Sequence, residues 1–109
     1  MNQQSHNEVS ISIENVILKG ELIIPANANA IVLFSHGSGS SRFSTRNRKV
    51  AEYLHSKNFG TLLLDLLTEE EDSIYSNRFN IDLLAKRLAG ATAWLEKFPP
   101  AKDHRIGYF

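Results

Sequence analysis

Residues 31–41 read Ile31-Val32-Leu33-Phe34-Ser35-His36-Gly37-Ser38-Gly39-Ser40-Ser41, and their character changes abruptly after Phe34. Four consecutive apolar residues without polar alternation are the pattern of a strand covered on both faces, as strands of parallel sheets are. The Ser- and Gly-rich residues that follow cannot extend such a strand and read as a loop. A loop at the carboxyl end of a parallel strand, just ahead of a helix, offers backbone N–H groups that the fold does not consume. It can therefore hold an anion or an oxyanion.

Working outward, Ser44 or Thr45 is placed to cap a helix whose apolar positions Val50, Ala51, Tyr53 and Leu54 share a face, with Asn58 and Gly60 as its stop. Thr61 to Leu67 is a second apolar run, interrupted only by Asp65, so that strand, loop, helix and strand make a βαβ unit with parallel strands. Upstream, Val9, Ile11 and Ile13 alternate with Ser10, Ser12 and Glu14, and the alternation resumes through Val16, Leu18, Gly20, Leu22 and Ile24. Period two on both sides of a short turn predicts an antiparallel hairpin, with Gly20 at a bulge or a close backbone approach and Pro25 closing it.

Downstream, Glu69, Glu70, Glu71 and Asp72 open a polar stretch to Asn80 that reads as a surface loop. Ile81, Leu84, Leu88, Ala91, Leu95 and Phe98 then hold a helical face, with Asn80 as cap, Asp82 in the first turn, and Pro99-Pro100 as the end. Trp94 on this helix is expected in or beside the core. Arg105 to Phe109 opens another strand. The expected fold is a single α/β domain over residues 1–109.

Lys plus Arg number 12 and Asp plus Glu 12, which leaves no net field to draw in nucleic acid or an anionic membrane, and neither is expected as a partner. The absence of cysteine removes disulfides, thiolate metal sites and thiol nucleophiles together. His6, His55 and His104 have no metal-ligand spacing, so neither metal nor cofactor is expected. Residues 1–10 lack the basic and apolar regions of a signal peptide, and no apolar run approaches the roughly 20 residues of a membrane span. The expected location is cytoplasmic.

The loops after successive parallel strands leave the same edge of a sheet, where ligands bind in open α/β folds. Arg42, Arg46, Arg48 and Lys49 crowd the start of the first helix, where the macrodipole disfavours cations by about 0.3–1 kcal/mol each. Two compensations are expected: a surface network with the acidic run, or an anionic substrate group held by Arg42 or Arg46, whose guanidinium forks suit carboxylate and phosphate. His36 and Gly39 are expected to shape the loop, and Asp65 to orient its neighbour. The loop matches a dinucleotide fingerprint poorly, because Arg42 stands where a third glycine belongs, and no G-K-[ST] follows. Nor does any of its serines sit in the G-x-S-x-G frame of a nucleophile elbow.

These residues together resemble the amino-terminal half of an α/β-hydrolase, particularly the dienelactone-hydrolase-like branch. The resemblance covers almost the whole chain: Leu18, Gly20, Leu22 and Pro25 in the hairpin, Leu33 to Ser41 as strand and loop, Arg46 to Ala51 opening the first helix, Leu63 to Glu70, and Ile106 to Phe109 as the strand before the elbow. It implies a strand order of 1-2-4-3-5. It further implies that the loop after Gly37, at the Ser38 N–H, supplies one donor of an oxyanion hole, and that the nucleophile, acid and histidine all fall beyond Phe109.

The expectation is thus a serine hydrolase of a small ester or lactone, truncated before its elbow, inactive as this chain alone, and prone to self-association through the strand 106–109. A phosphate- or anion-binding module and an edge-strand interaction fragment are the alternatives.

Overall fold

The computed structural model of the protein describes residues 5–34 and 44–109. The hairpin forms as its alternation predicts. Strand β1 (Ser5–Ile13) pairs antiparallel with β2 (Val16–Ile24) in an unbroken register from Ser5↔Ile24 to Ile13↔Val16. Glu14 makes the two-residue turn with φ 52°, and Val9, Ile11, Leu18 and Leu22 point into the core while Ser10, Ser12 and Lys19 face water. Gly20 marks a close approach without a bulge. A Cβ there would lie 3.1 Å from Leu62 Cδ1 and Leu64 Cδ1 and 3.2 Å from the Leu63 carbonyl, on the strand packed beside it.

Strand β3 is Ala30–Phe34, helix α1 is Thr45–Ser56, and strand β4 is Phe59–Leu64. Ser44 is the cap of α1, its Oγ accepting the Asn47 N–H at 3.3 Å. Asn58 leaves the helix with φ 66°, a left-handed conformation that asparagine tolerates better than most side chains. The strand begins two residues earlier than the apolar run suggests. Gly60 belongs to β4 rather than to the helix stop, because a side chain there would press on the Ile23 carbonyl at 3.1 Å.

Beyond β4 come a short helix α2 (Glu69–Asp72), a 3-10 helix (Tyr75–Phe79), helix α3 (Ile81–Lys97) capped by Asn80, and strand β5 (Arg105–Tyr108). The five strands form one sheet in the order β1-β2-β4-β3-β5. The hairpin joins β4 in antiparallel fashion, and β4, β3 and β5 run parallel. This is the order and mixture that the resemblance implies.

Alternate side chains of the parallel strands serve opposite faces. Ile31, Leu33, Leu62 and Leu64 pack with Leu84, Leu88, Ala91, Trp94 and Leu95 of α3, and Trp94 stacks on Phe98 with centroids 4.5 Å apart. Phe34, Val32 and Leu63 pack with Val50, Ala51 and Leu54 of α1. Each fully buried leucine of this core contributes about 1.5–3 kcal/mol of transfer free energy. The two connecting helices therefore cover opposite faces, and the sheet has one open edge of strand carboxyl ends. Among the described residues, no helix is long and apolar enough to cross a membrane.

Candidate functional site

The register Phe34↔Leu63 brings the ends of β3 and β4 side by side, so residues 35–44 and 65–80 leave from one edge of the sheet. Of the residues singled out in sequence, His36, Gly37, Ser38, Gly39 and Arg42 lie outside the described residues. Arg46 and Asp65 lie within them. Arg46 sits exposed in the first turn of α1, a turn that contains no acidic residue. Asp65 directly follows β4 and is half-buried. Its N–H donates to the Lys19 carbonyl at 3.0 Å, which extends the pairing with β2 by one residue and fixes where the second segment starts.

The cations at the head of α1 and the acidic run find other partners than the network between them that sequence suggests. Arg48 Nη1 donates to Glu21 Oε1 on β2 at 3.3 Å, and the other oxygen of Glu21 lies 3.3 Å from His6 Nε2. Glu21 and Leu63 are register partners, which places Glu21 on the face that α1 covers and within reach of Arg48. Asp72 is held by Arg78, whose Nε and Nη2 reach its two oxygens at 3.1 and 3.3 Å.

Glu71 is held by Arg87. Nη1 and Nη2 donate to its two carboxylate oxygens at 2.7 and 2.6 Å, and Nη1 also donates to the Leu66 carbonyl at 3.1 Å. Arg87 is one of the few buried charged residues, 7% exposed. Its hydrogen bonds hold the Glu71 carboxyl far below the usual range, at about 2, against the opposing effect of burial. Glu71 also completes a capping box, accepting the Thr68 N–H at 3.0 Å while its own N–H donates to Thr68 Oγ1 at 3.1 Å. Asn77 Nδ2 donates to the Glu71 carbonyl at 3.0 Å.

The segment after β4 is therefore a folded platform, where sequence suggested a solvated loop. Two signals were present in the chain. Thr68-x-x-Glu71 is the pattern of a capping box, and Arg87 falls three residues after Leu84 and four before Ala91, on the apolar stripe of its own helix. A cation there must meet an anion from a neighbouring element.

The described histidines are engaged away from this edge. His55 Nε2 lies 2.8 Å from Thr61 Oγ1, with burial lowering its pKa, and His104 Nδ1 lies 3.1 Å from the Ala101 carbonyl. Among the described residues no group of three or more His, Asp or Glu is disposed to hold a metal ion. What the edge offers chemically is a pair of converging segments, one leading into the N-terminus of α1 and the other rigidly braced.

No protein-family model matches the chain. It superposes on a dienelactone hydrolase from Anabaena variabilis with a TM-score of 0.90 at 52% identity, covering 98% of this chain and 51% of that one. An esterase from Pyrococcus furiosus matches with a TM-score of 0.68 at 25% identity, covering 95% of this chain and 40% of the esterase. Among curated sequences, two Mycobacterium tuberculosis proteins, from strains CDC 1551 and H37Rv, are 48% identical over 102 residues, and both are provisionally named phosphoribosyl transferases. That match spans 94% of this chain but 23% of either relative, so the chain corresponds to about a quarter of those proteins and to half of the Anabaena hydrolase. In sequence and in fold, residues 1–109 resemble the amino-terminal half of a dienelactone-hydrolase-like α/β-hydrolase.

Proposed function

We propose that the chain supplies the amino-terminal half of a cytoplasmic serine hydrolase acting on a small ester or lactone, with the loop after β3 as one side of the oxyanion hole. The observation that carries this reading is the sheet itself. Its order is β1-β2-β4-β3-β5, the segments after β3 and β4 leave a common edge, and sequence identity to a dienelactone hydrolase is 52% across almost the whole chain. In this reading the Ser38 N–H donates to the acyl oxygen as negative charge develops on it, and Gly37 gives the backbone room to approach. Arg42 or Arg46 orients an anionic group, and His36, Gly39 and Asp65 shape the two converging segments. The nucleophile, acid and histidine belong to the other half of the hydrolase, and residues 1–109 alone are inactive.

Ser38 provides the test, because the N–H and the side chain can be separated. In a hydrolase completed with the carboxyl-terminal half, Ser38→Ala keeps the donor and retains turnover of p-nitrophenyl acetate. Ser38→Pro removes it and lowers kcat by about 10²–10³-fold, the usual loss for one oxyanion donor. Equal turnover in the two variants, at equal melting temperature, refutes the assignment.

A second reading is favoured by the exposed Arg46 in a helix turn that lacks acidic residues. It makes the same loop a binding site for phosphate, without catalysis. The provisional transferase name of the Mycobacterium relatives attaches to proteins of which this chain covers 23% and does not decide between the two. Calorimetric titration with inorganic phosphate does: binding that Arg42→Ala and Arg46→Ala together abolish supports the module, and no binding removes it. A third reading takes β5 as an interaction edge, because it is the outermost strand of the described sheet and carries the exposed Tyr108. Light scattering on an Ile106→Lys variant checks it.

A further inference from the structure

Eight large hydrophobic residues are exposed among the described residues, and four of them, Ile74, Tyr75, Phe79 and Ile81, fall within residues 74–81. Scattered apolar residues on a surface need no explanation, but a cluster at a ligand-binding edge does. These four are carried by the braced segment after β4. Tyr75 and Phe79 meet edge to face with centroids 5.1 Å apart, and Tyr75 is still 70% exposed and Phe79 55%. An aromatic pair that is fixed in orientation and left open to solvent offers ring faces for a further ring to pack on.

The brace is what keeps this surface in place. Arg87 ties the Leu66 carbonyl to Glu71, Glu71 ties the start of α2 to Asn77, and Arg78 ties the 3-10 helix back to Asp72. The charges nearby also select the occupant. Glu69 and Glu70 stand exposed beside the patch, while the cations Arg78 and Arg87 are committed to carboxylates. An anionic group is disfavoured at this wall, and a neutral ring is not.

We propose that residues 74–81, held at the carboxyl edge of the sheet by the Arg87–Glu71 pair, form the wall that receives the neutral aromatic part of an ester substrate. This rests on the ester-hydrolase reading above and names the substrate class of that site. Tyr75 and Phe79 supply the packing surface, and Arg87 and Glu71 are positioning residues that touch no substrate.

The isotopically labelled chain tests this without any turnover, by titration with 1-naphthyl acetate while amide signals are followed. The expected result is a saturable shift confined to residues 74–81 and their packing neighbours, absent with methyl acetate and weaker with anionic 1-naphthoate. Ile17 and Tyr53, exposed apolar residues elsewhere on the fold, serve as internal controls and stay put. A Tyr75→Ser, Phe79→Ser chain binds at least about tenfold more weakly. A Glu71→Gln chain with an otherwise native spectrum also binds more weakly, although both rings are intact.

Shifts spread equally over Ile17 and Tyr53, tighter binding of 1-naphthoate, or binding undiminished in the double variant overturns the proposal. So does protection of residues 74–81 by the carboxyl-terminal half of the Anabaena hydrolase with loss of the naphthyl acetate shift, which makes the patch a protein interface. Binding and ester turnover are read separately, so a failure here is distinguishable from a failure of the hydrolase reading.

Discussion

Replacing Arg87 by methionine keeps most of the apolar stem and removes a guanidinium that makes three hydrogen bonds, two to Glu71 and one to the Leu66 carbonyl. The Glu71 carboxyl, held at about 2 against an ordinary 4.5, reports the strength of its surroundings, to which Arg87 contributes most. At about 1.4 kcal/mol per pH unit, a displacement of that size corresponds to about 3 kcal/mol. Glu71 is 23% exposed, so water recovers part of the loss once the partner is gone. The orphaned Leu66 carbonyl adds about 1 kcal/mol. Together these give an expected cost of about 2–3 kcal/mol at pH 7, a large share of the roughly 5–15 kcal/mol of a typical domain.

The pH dependence follows from the direction of the displacement. Because the folded pKa is depressed, the stabilisation is complete above 4.5 and is lost as pH falls from there toward 2. Urea unfolding of both proteins from pH 7 to pH 2.5 measures the difference. The account requires a gap at pH 7 that narrows steadily below pH 4.5. A gap under about 0.5 kcal/mol at pH 7, the size of an ordinary surface substitution, refutes the reasoning, as does one that stays constant down to pH 2.5.

Burial lowers the pKa of His55 beside Thr61, so its neutral form is the one the fold accommodates. Its contribution is present above the unfolded pKa of 6.5 and is lost as pH falls through the lower folded value. Its imidazole should titrate below 6.5 by NMR, and His55→Gln should flatten the stability profile in that window. Gly60→Ala forces a Cβ to within 3.1 Å of the Ile23 carbonyl, a backbone atom that cannot swing aside, and is expected to cost about 1–3 kcal/mol by thermal unfolding. An unchanged melting temperature would show that the hairpin shifts freely against β4.

The parts of this fold that could be read from sequence are those governed by apolar periodicity. Ile31 to Phe34 announce a doubly covered strand, Val9 to Ile13 a singly covered one, and Leu84 to Leu95 a helical face. The resemblance then ordered the strands. What escaped is held by charge. Glu69 to Asp72 read as solvated because charge density and solvation usually coincide, yet Glu71 and Asp72 are neutralised by arginines from elements farther along the chain. Arg87 looked like one more surface cation, although its place between Leu84 and Ala91 put it on the buried stripe. The head of α1 misled in the same way, since Arg48 finds Glu21 on β2, a partner 27 residues earlier that only the sheet order brings near.

The central claim is that this chain is half of an ester-hydrolysing site, and complementation tests it most directly. The purified chain is mixed with the carboxyl-terminal half of the Anabaena variabilis dienelactone hydrolase, its 52%-identical structural relative, and p-nitrophenyl acetate hydrolysis is followed for each half and for the mixture. The account predicts no turnover above buffer from either half and saturable turnover from the mixture. Turnover by the chain alone that survives repurification contradicts it, as does a stable complex of the two halves that remains inert.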